Sequence, residues 1–372
     1  MVERLKINTD VLSYYVENSG IPKEILQTKT QNLDSFLDGS KKPTFNQLSE
    51  LAKVINVPTG LLLLQHSMEI TPRRLKFRTL NSESLDGLSN ELRNTVSEMQ
   101  LKQDFLKGEI DTNLDFIGKF SIEDDYLEVV KDIRARLSIP INYQKEIGQN
   151  PLKYFRTKIN QMGVFAFFNG KIKDNTHLNL DLNEFRGFVL SDKRAPIIFI
   201  NQKDSKSGQL FTLIHELVHL FIGDDEIFNL LETELYTFDQ TEAFVNKVAA
   251  EILMPKSEIL KTDSKIETLY KLFPVSKFVI VRRLLDLGKI SKTEYEEIIV
   301  ELEDYFKSLP KAKKVKGGGN YLNNLNFRMD KMFFHYVENA VKQNRISYTD
   351  AFNIVGVGYK GYKTLILSIL NV

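Results

Sequence analysis

The spacing of apolar positions along the chain predicts many helices and one small group of strands. In residues 88–138, apolar side chains recur every three to four positions, a pattern typical of long amphipathic helices, and residues 257–306 repeat it. Two short apolar runs, 163–168 and 195–201, are bounded by Gly, Pro or Asn and predict strands, and 185–190 is a further candidate. The sequence therefore predicts an α+β protein that is mostly helical.

Residues 1–65 have the pattern of a separate all-α domain. Short apolar segments alternate with tight turns, with Gly20 and Gly39 near helix ends and Pro22 and Pro43 near helix starts. Short helices joined in this way are typical of a helix-turn-helix domain.

The remaining chain divides into four further segments. Residues 66–87 show little periodicity and are interpreted as a connector, which leads into a second domain at 88–310. The run 311–319 combines lysines with three consecutive glycines and predicts a charged, flexible linker. Residues 320–372 predict a last small unit that is mostly helical.

Composition narrows the chemistry that the chain can use. The 372 residues include no cysteine, which excludes disulfides, thiolate metal sites and cysteine nucleophiles, so a metal site must use His, Asp and Glu. With 50 Lys and Arg against 49 Asp and Glu, the net charge of +1 does not favour a broad phosphate-binding surface. The N-terminus is charged, unlike a signal peptide, and the longest apolar stretch, at 59–64, is too short to cross a bilayer. We therefore expect a cytoplasmic protein without membrane contact.

The segment 210–223 contains two histidines and has the residue pattern of a helix. Its apolar residues recur at helical spacing and it ends at a glycine, so it predicts a mostly buried helix. His215 and His219 are four residues apart and share one face, which lets both imidazoles bind one ion. Glu216 is turned by about 100° from His215, where it can act on water as a general base without binding the ion itself. Two histidines and one carboxylate form the catalytic zinc pattern, whereas the alternative is two hydrogen-bonded histidines on a packed helix.

A third ligand must come from another part of the chain. The acidic residues that end the same helix point away from the histidines: Asp224, Asp225 and Glu226. Those that precede the next predicted helix remain candidates: Glu232, Glu234 and Asp239. Glu242 suits the role best, because Thr241 can cap that helix and Asn246 follows Glu242 one turn later on the same face. Asn246 can then hold the second ring nitrogen of a ligand imidazole.

The segment FTLIHELVH at 211–219, followed by TEAFVNKVAAEILMP at 241–255, resembles the ImmA/IrrE family of zinc metallo-endopeptidases. The fragments FRTL, EFRGFVL, APIIFIN and GGGNYLNNLNF agree with this family. The pair Phe244–Val245 departs from the Glu-Ala that many members have, which leaves Glu242 as the ligand candidate on that helix. The resemblance implies a gluzincin-like domain with a small mixed sheet, a catalytic core at about 163–255, and one Zn²⁺ per chain.

The resemblance also implies a protein substrate, namely a regulatory protein such as a helix-turn-helix repressor or an antitoxin in stress or mobile-element control. Glu216 would take a proton from water and pass it to the leaving amine. An edge strand would pair with the extended substrate; it consists of Ile197, Ile198, Phe199, Ile200 and Asn201. The donor to the oxyanion stays open among His177, Arg186 and Tyr236.

The segment FLDGSKKPTFNQLSELAKVINVP at 36–58 resembles the Cro/lambda-repressor-like helix-turn-helix family. By that resemblance the recognition helix is about Gln31–Asp38, where Gln31 and Asn32 can read base edges. This helix has two aspartates and no Lys or Arg, and residues 1–65 hold seven cationic and seven acidic residues. Because DNA binding depends on cationic contacts to phosphate, we expect the domain to recruit or position a protein partner and to bind DNA only weakly by itself.

Two other functions are compatible with the sequence. The first is a DNA- or partner-binding transcriptional regulator whose zincin domain is a sensor or scaffold, and the second is a toxin–antitoxin component. The intact His-Glu-x-x-His motif disfavours the first, since a scaffold would not need Glu216.

Overall fold

The computed structural model describes residues 4–17, 19, 23–55, 57, 59–64, 66, 89–175, 178–223, 227–228, 240–308 and 320–370. The chain forms two compact units, residues 1–88 and residues 89–372. The second unit includes both the predicted peptidase domain and the predicted C-terminal helices. The predicted connector, apart from position 66, and the predicted linker lie outside the described residues.

The described part of the first unit is helical. Its elements are α1 (Thr9–Glu17), α2 (Lys23–Lys29), α3 (Leu33–Leu37), α4 (Phe45–Val54) and a 3₁₀ turn at Thr59–Leu63. Each element places at least one fully or almost fully buried side chain in a shared core: Leu12, Leu26, Phe36, Leu48 and Leu62. This unit therefore has its own hydrophobic core.

The third helix is shorter than the predicted recognition helix. Gln31 and Asn32 lie in the turn before α3, because Asn32 has a φ of 65°, a left-handed conformation that a right-handed helix does not contain. Both side chains are exposed. The side-chain oxygen of Asn32 accepts a hydrogen bond from Nζ of Lys41 at 2.9 Å.

The second unit combines many helices with one sheet, in agreement with the predicted α+β class. Its helices are α5 (Asn90–Glu109), α6 (Tyr126–Leu137), α7 (Pro151–Gln161), α8 (Lys206–Ile222), α9 (Gln240–Leu253), α10 (Lys256–Ile259), α11 (Ile266–Leu272), α12 (Lys277–Asp286), α13 (Lys292–Ser308), α14 (Tyr321–Arg328), α15 (Lys331–Lys342), α16 (Tyr348–Val355) and α17 (Tyr359–Leu365), which continues as a π-helical turn at Ile366–Leu370. A 3₁₀ turn lies at Tyr143–Lys145. The strands are β1 (Phe165–Asn169), β2 (Gly187–Leu190), β3 (Ile197–Asn201) and β4 (Ile227–Phe228).

The sheet is mixed and its strand order is β1-β3-β2-β4. Strand β3 runs parallel to β1 and antiparallel to β2, so that Ile198 lies between Ala166 and Val189. The prediction that Ile197–Asn201 is an edge strand is therefore wrong. All five of its residues are buried and both of its neighbours are strands, so its backbone has no free side for a substrate.

The two faces of the sheet pack against different helices. The face toward α8 presents residues of the main core: Ala166, Phe168, Val189, Ile198 and Ile200. On the opposite face, the rings of Phe188 and Phe199 stack with their centroids 5.1 Å apart, and Phe167 contacts Phe333 of α15. The sheet thus forms the middle layer of this unit.

The structure of helix α5 confirms that the apolar residues predicted to share one face are buried. Ser89 caps it by accepting a hydrogen bond from the backbone N–H of Leu92. The predicted stripe is buried: Leu92, Val96, Met99 and Leu106. The side-chain amide of Gln103 donates to the carbonyls of Leu190 and Ala195 at 2.9 and 3.0 Å, which ties α5 to the loop between β2 and β3.

Asp330 attaches the C-terminal helices to the sheet. Its carboxylate has no exposed surface and accepts hydrogen bonds from the backbone N–H of Ala166 at 2.9 Å and from the side-chain amide of Asn160. The other carboxylate oxygen caps α15 by accepting from the backbone N–H of Phe333 at 3.0 Å. Within the described ranges, no helix combines the length and the apolar character that crossing a bilayer requires.

Candidate metal centre

Helix α8 carries the His-Glu-x-x-His motif in the interior of the unit. Ser205 caps its start, and it ends at Gly223, whose φ of 73° is the left-handed conformation of a glycine cap, as predicted. Apolar neighbours bury this helix; each fully buried Leu, Ile or Phe contributes roughly 1.5–3 kcal/mol, which offsets the cost of burying the polar motif. His215, Glu216 and His219 have no exposed surface.

Helix α9 packs against α8 and brings Glu242 to the two histidines. Glu242 is 2% exposed and lies in the first turn of α9. The helix begins at Gln240, so Thr241 has helical geometry and is not the cap that we predicted from the sequence. The position of Glu242 is nevertheless the one expected, because both starts place it within the first turn.

Three side-chain groups converge at one point in this interior. The Nε2 atoms of His215 and His219 lie 3.0 Å apart. Oε2 of Glu242 lies 3.3 Å from Nε2 of His215, and Oε1 of Glu242 lies 3.1 Å from Nε2 of His219. With zinc–ligand bonds of about 2.0–2.1 Å, tetrahedral ligand atoms are separated by about 3.3 Å. The three groups therefore have the chemistry and the spacing to hold one metal ion.

The second ring nitrogens of the two histidines have different surroundings. Nδ1 of His215 lies 3.0 Å from the side-chain oxygen of Asn246. If Nδ1 carries the proton, Nε2 presents its lone pair toward Glu242, which is the tautomer that a metal ligand needs. Nδ1 of His219 has no hydrogen-bond partner among the described residues.

Burial and charge set the protonation of the site. Burial lowers the pKa of His215 below its ordinary value, although Glu242 opposes the shift, so the imidazole favours its neutral form. Burial alone would raise the pKa of Glu242, but its electrostatic and hydrogen-bond interactions with the imidazoles of His215 and His219 hold it well below its usual range. A neutral imidazole and an ionised carboxylate are the forms that bind metal.

Glu216 lies close to strand β2, at Gly187, where the strand has room only for a glycine. A Cβ atom added to Gly187 would stand 3.2 Å from Oε1 of Glu216, 2.6 Å from Cγ2 of Thr212 and 2.9 Å from the carbonyl oxygen of Phe199. Gly187 therefore allows α8 to approach the sheet closely at the residue proposed as the base. This role of Gly187 was not predicted from the sequence, although an isolated glycine in a strand indicates such an approach.

The structure places the three oxyanion candidates differently. Arg186 forms a buried ion pair with Asp204, with Nη1 and Oδ2 2.7 Å apart. Asp204 precedes the start of α8, and His215 lies nine residues into that helix, about 13 Å along its axis. Arg186 thus stabilises the N-terminal end of α8, away from the two histidines. His177 and Tyr236 lie outside the described residues, as do the other ligand candidates Asp224, Asp225, Glu226, Glu232, Glu234 and Asp239.

A buried ion pair that was not predicted from the sequence holds the C-terminal end of α9 in place. Arg283 of α12 forms a hydrogen-bonded ion pair with Glu251 of α9, and both side chains are buried. The second carboxylate oxygen of Glu251 accepts from the backbone N–H of Lys256 at 3.0 Å. The helix that carries Glu242 and Asn246 is therefore fixed to α10 and α12.

Comparison with known proteins gives one family. Residues 175–285 match the family model described as Peptidase_M78, the IrrE N-terminal-like domain. No curated protein and no solved structure matches the chain. The matched stretch contains the whole motif of α8 together with Glu242 and Asn246. Residues 175–285 are thus similar to the IrrE N-terminal-like domain of a metallopeptidase family, which supports the ImmA/IrrE resemblance and a metallopeptidase-like function for this part of the chain.

Proposed function

We propose that the chain is a zinc-dependent endopeptidase that cleaves a specific regulatory protein, such as a helix-turn-helix repressor or an antitoxin. One observation carries the proposal: in a buried site on α8 and α9, the Nε2 atoms of His215 and His219 lie 3.0 Å apart, and each lies 3.1–3.3 Å from one of the two carboxylate oxygens of Glu242. A structural cluster of two histidines would not need a carboxylate at tetrahedral spacing from both rings. The match of this stretch to a peptidase family supports the same conclusion.

The residues present fit zinc in donor type and in number. Two imidazole nitrogens and one carboxylate are the protein ligands of many catalytic zinc sites, and Asn246 is placed to orient one of the rings. When bound there, zinc supplies a Lewis acid for the scissile carbonyl and lowers the pKa of water.

Glu216 is proposed to move the proton. It follows His215 on α8 and is fully buried, so its carboxylate works in surroundings where charge interactions are strong. It would accept a proton from the attacking water and donate it to the leaving amine. Its carboxylate lies close to Gly187 of β2, since a Cβ atom there would stand 3.2 Å from Oε1.

The first unit is proposed to recruit or position the protein substrate. The exposed Asp34 of α3 is held by Nζ of Lys23 at 2.9 Å and by the amide of Gln27 at 2.7 Å, and Asp38 ends the same helix. An acidic helix suits a basic protein surface better than a phosphate backbone. DNA binding by this unit alone is therefore proposed to be weak.

The test is co-expression of the full chain with the protein encoded beside it, followed by mass spectrometry of the fragments. Wild type should cleave the partner at one site, whereas Glu216→Gln should retain zinc and lose cleavage by about 10²–10⁴-fold or more. Glu297→Gln, an exposed Glu on α13, is the matched control and should cleave normally. Cleavage at the wild-type rate by Glu216→Gln would overturn the assigned role. A partner that binds tightly and stays intact with wild type would favour the sensor or scaffold function.

A further inference from the structure

A cleft lies between α7 on one side and α14 and α15 on the other, and it shares no lining residue with the metal centre. Its volume is about 550 Å³, within the 300–1,000 Å³ typical of small-molecule sites. Its apolar lining comes from Leu152, Phe327, Met329 and Met332. It is therefore large enough and apolar enough to hold a small organic molecule.

The charged groups of this cleft all have the same sign. Lys153 and Arg156 of α7 and Lys331 of α15 line it, together with His335, and no carboxylate is among its described lining residues. Asp330 adjoins the cleft, but its two oxygens are occupied by Asn160 and by the backbone N–H groups described above. The electrostatic potential inside the cleft therefore favours an anion.

Arg156 has an unusual environment for a guanidinium group. Its Nη1 and Nη2 atoms donate to three backbone carbonyls, those of Phe327, Ala166 and Met329, and it forms no ion pair with a described carboxylate. It lies 4.7 Å from the ring centroid of Phe168, and burial lowers its pKa to about 10.

The bonding of Arg156 also leaves donors available. Arginine has five N–H groups, and these three bonds use three of them. The remaining N–H groups, on Nε and Nη1, have no partner in the described part of the chain. The carboxylate of Asp330 opposes the downward shift in the pKa of Arg156 without forming an ion pair with it, so an anionic ligand would supply the direct counterion.

We propose that this cleft binds a small organic anion with an apolar body. The carboxylate, phosphate or sulfonate group of the ligand contacts Arg156, with Lys153 and Lys331 at the entrance, and its apolar body packs on Phe327 and the two methionines. Both lysines are exposed and form no side-chain hydrogen bond in the described structure, so their charges are available to the ligand. A bound ligand would contact α7 and the C-terminal helices together.

The test uses a matched pair of fluorescent probes on the full chain. The anionic probe is 8-anilinonaphthalene-1-sulfonate, and the neutral probe is N-phenyl-1-naphthylamine, which has the same ring body without the sulfonate. Calorimetry should show one saturable site per chain for the anion and binding of the neutral probe at least about tenfold weaker, a difference of about 1.4 kcal/mol. Equal affinity for the two probes, or no saturable binding of the anion, would overturn the proposal.

Charge-reversal variants locate the site. Lys153→Glu/Lys331→Glu should weaken binding of the anion at least about tenfold. Lys145→Glu/Lys363→Glu makes the same change in net charge at exposed lysines that do not line the cleft, and should bind as wild type does. Melting curves establish that both variants fold. Equal loss in the two double variants would show a general charge effect, and no loss in the first would place the probe elsewhere; both results count against the cleft.

Discussion

The side-chain oxygen of Asn246 lies 3.0 Å from Nδ1 of His215, one helical turn after Glu242 on the same helix. Helix α9 thus supplies both a carboxylate for the proposed ion and the group that orients one of the imidazoles on α8. The two helices form the site jointly, and a change in their packing alters ligand position and ring orientation together.

Replacing Asn246 tests this arrangement. We expect Asn246→Ala to lower zinc affinity by about 10–100-fold, because the ring of His215 loses the acceptor that fixes its tautomer. Asn246→Asp keeps an acceptor at the same place and should restore most of the affinity. Competition with a chelator of known affinity measures both. Wild-type affinity in Asn246→Ala would show that the contact does not orient a ligand.

Metal content tests the ligand set directly. We expect about one zinc per wild-type chain by elemental analysis, and little zinc in His219→Ala or Glu242→Ala, since each removes one of three protein ligands. His335→Ala is the control, because His335 is exposed on α15 and is not part of the cluster. Full zinc occupancy in Glu242→Ala would mean that the third ligand lies elsewhere in the chain.

Gly187→Ala tests the close approach of α8 to the sheet. The new Cβ would stand 2.6 Å from Cγ2 of Thr212 and 2.9 Å from the carbonyl oxygen of Phe199, so the helix or the strand must shift. We expect a loss of about 1–3 kcal/mol in the free energy of unfolding, the usual cost of overpacking. Peptidase activity should fall as well, because the same atom would stand 3.2 Å from Oε1 of Glu216.

The double variant Gly187→Ala/Thr212→Ser separates steric conflict from other causes. Serine lacks the Cγ2 atom that the new side chain meets, so we expect the double variant to regain part of the lost stability. Urea unfolding of the two single variants and the double variant gives the coupling energy. Additive losses, with no recovery, would contradict a direct conflict between these two positions.

Helix α8, with its His-Glu-x-x-His motif, could be predicted because the residues that determine it are close together in the sequence. The spacing of apolar residues around His215 and His219 fixes which face carries the imidazoles, and Gly223 marks the end. The order of the strands could not be predicted in this way. Strand β3 is interior because β2 pairs with its second side, and this pairing depends on contacts between separate segments of the chain. The roles of Arg156 and Asp330 were not predicted for the same reason, since each has partners more than 150 residues away in the sequence.

The ion pair of Glu251 with Arg283 should be important for stability. Both side chains are buried, so removing one partner leaves the other charge uncompensated in the interior. We expect Glu251→Ala to cost about 3–5 kcal/mol in the free energy of unfolding, and Glu251→Leu/Arg283→Met to recover much of it. Glu303→Ala, which removes the partner of the exposed Lys307, should cost less than about 1 kcal/mol. Equal effects at the two sites in urea unfolding would contradict a special role for the buried pair.

The last prediction concerns the first unit and its affinity for DNA. Non-specific binding to duplex DNA grows with the number of cationic contacts to phosphate and falls steeply with salt. Residues 1–65 offer seven cationic side chains against seven acidic ones, and Lys23 is engaged with Asp34 on the helix that would read the bases. The unit has its own hydrophobic core, so DNA binding can be measured on a fragment of residues 1–88.

At about 150 mM salt, the physiological ionic strength, we expect this fragment to bind promoter DNA of its own locus no more tightly than about 10⁻⁶ M, as non-specific binders do. Fluorescence anisotropy with that promoter and with a scrambled duplex of equal length measures affinity and selectivity together. Asp34→Asn/Asp38→Asn should strengthen binding to both duplexes alike, because it removes repulsion from phosphate without adding a base contact. Selective binding at about 10⁻⁸ M or tighter would instead identify the first unit as a sequence-specific DNA-binding domain.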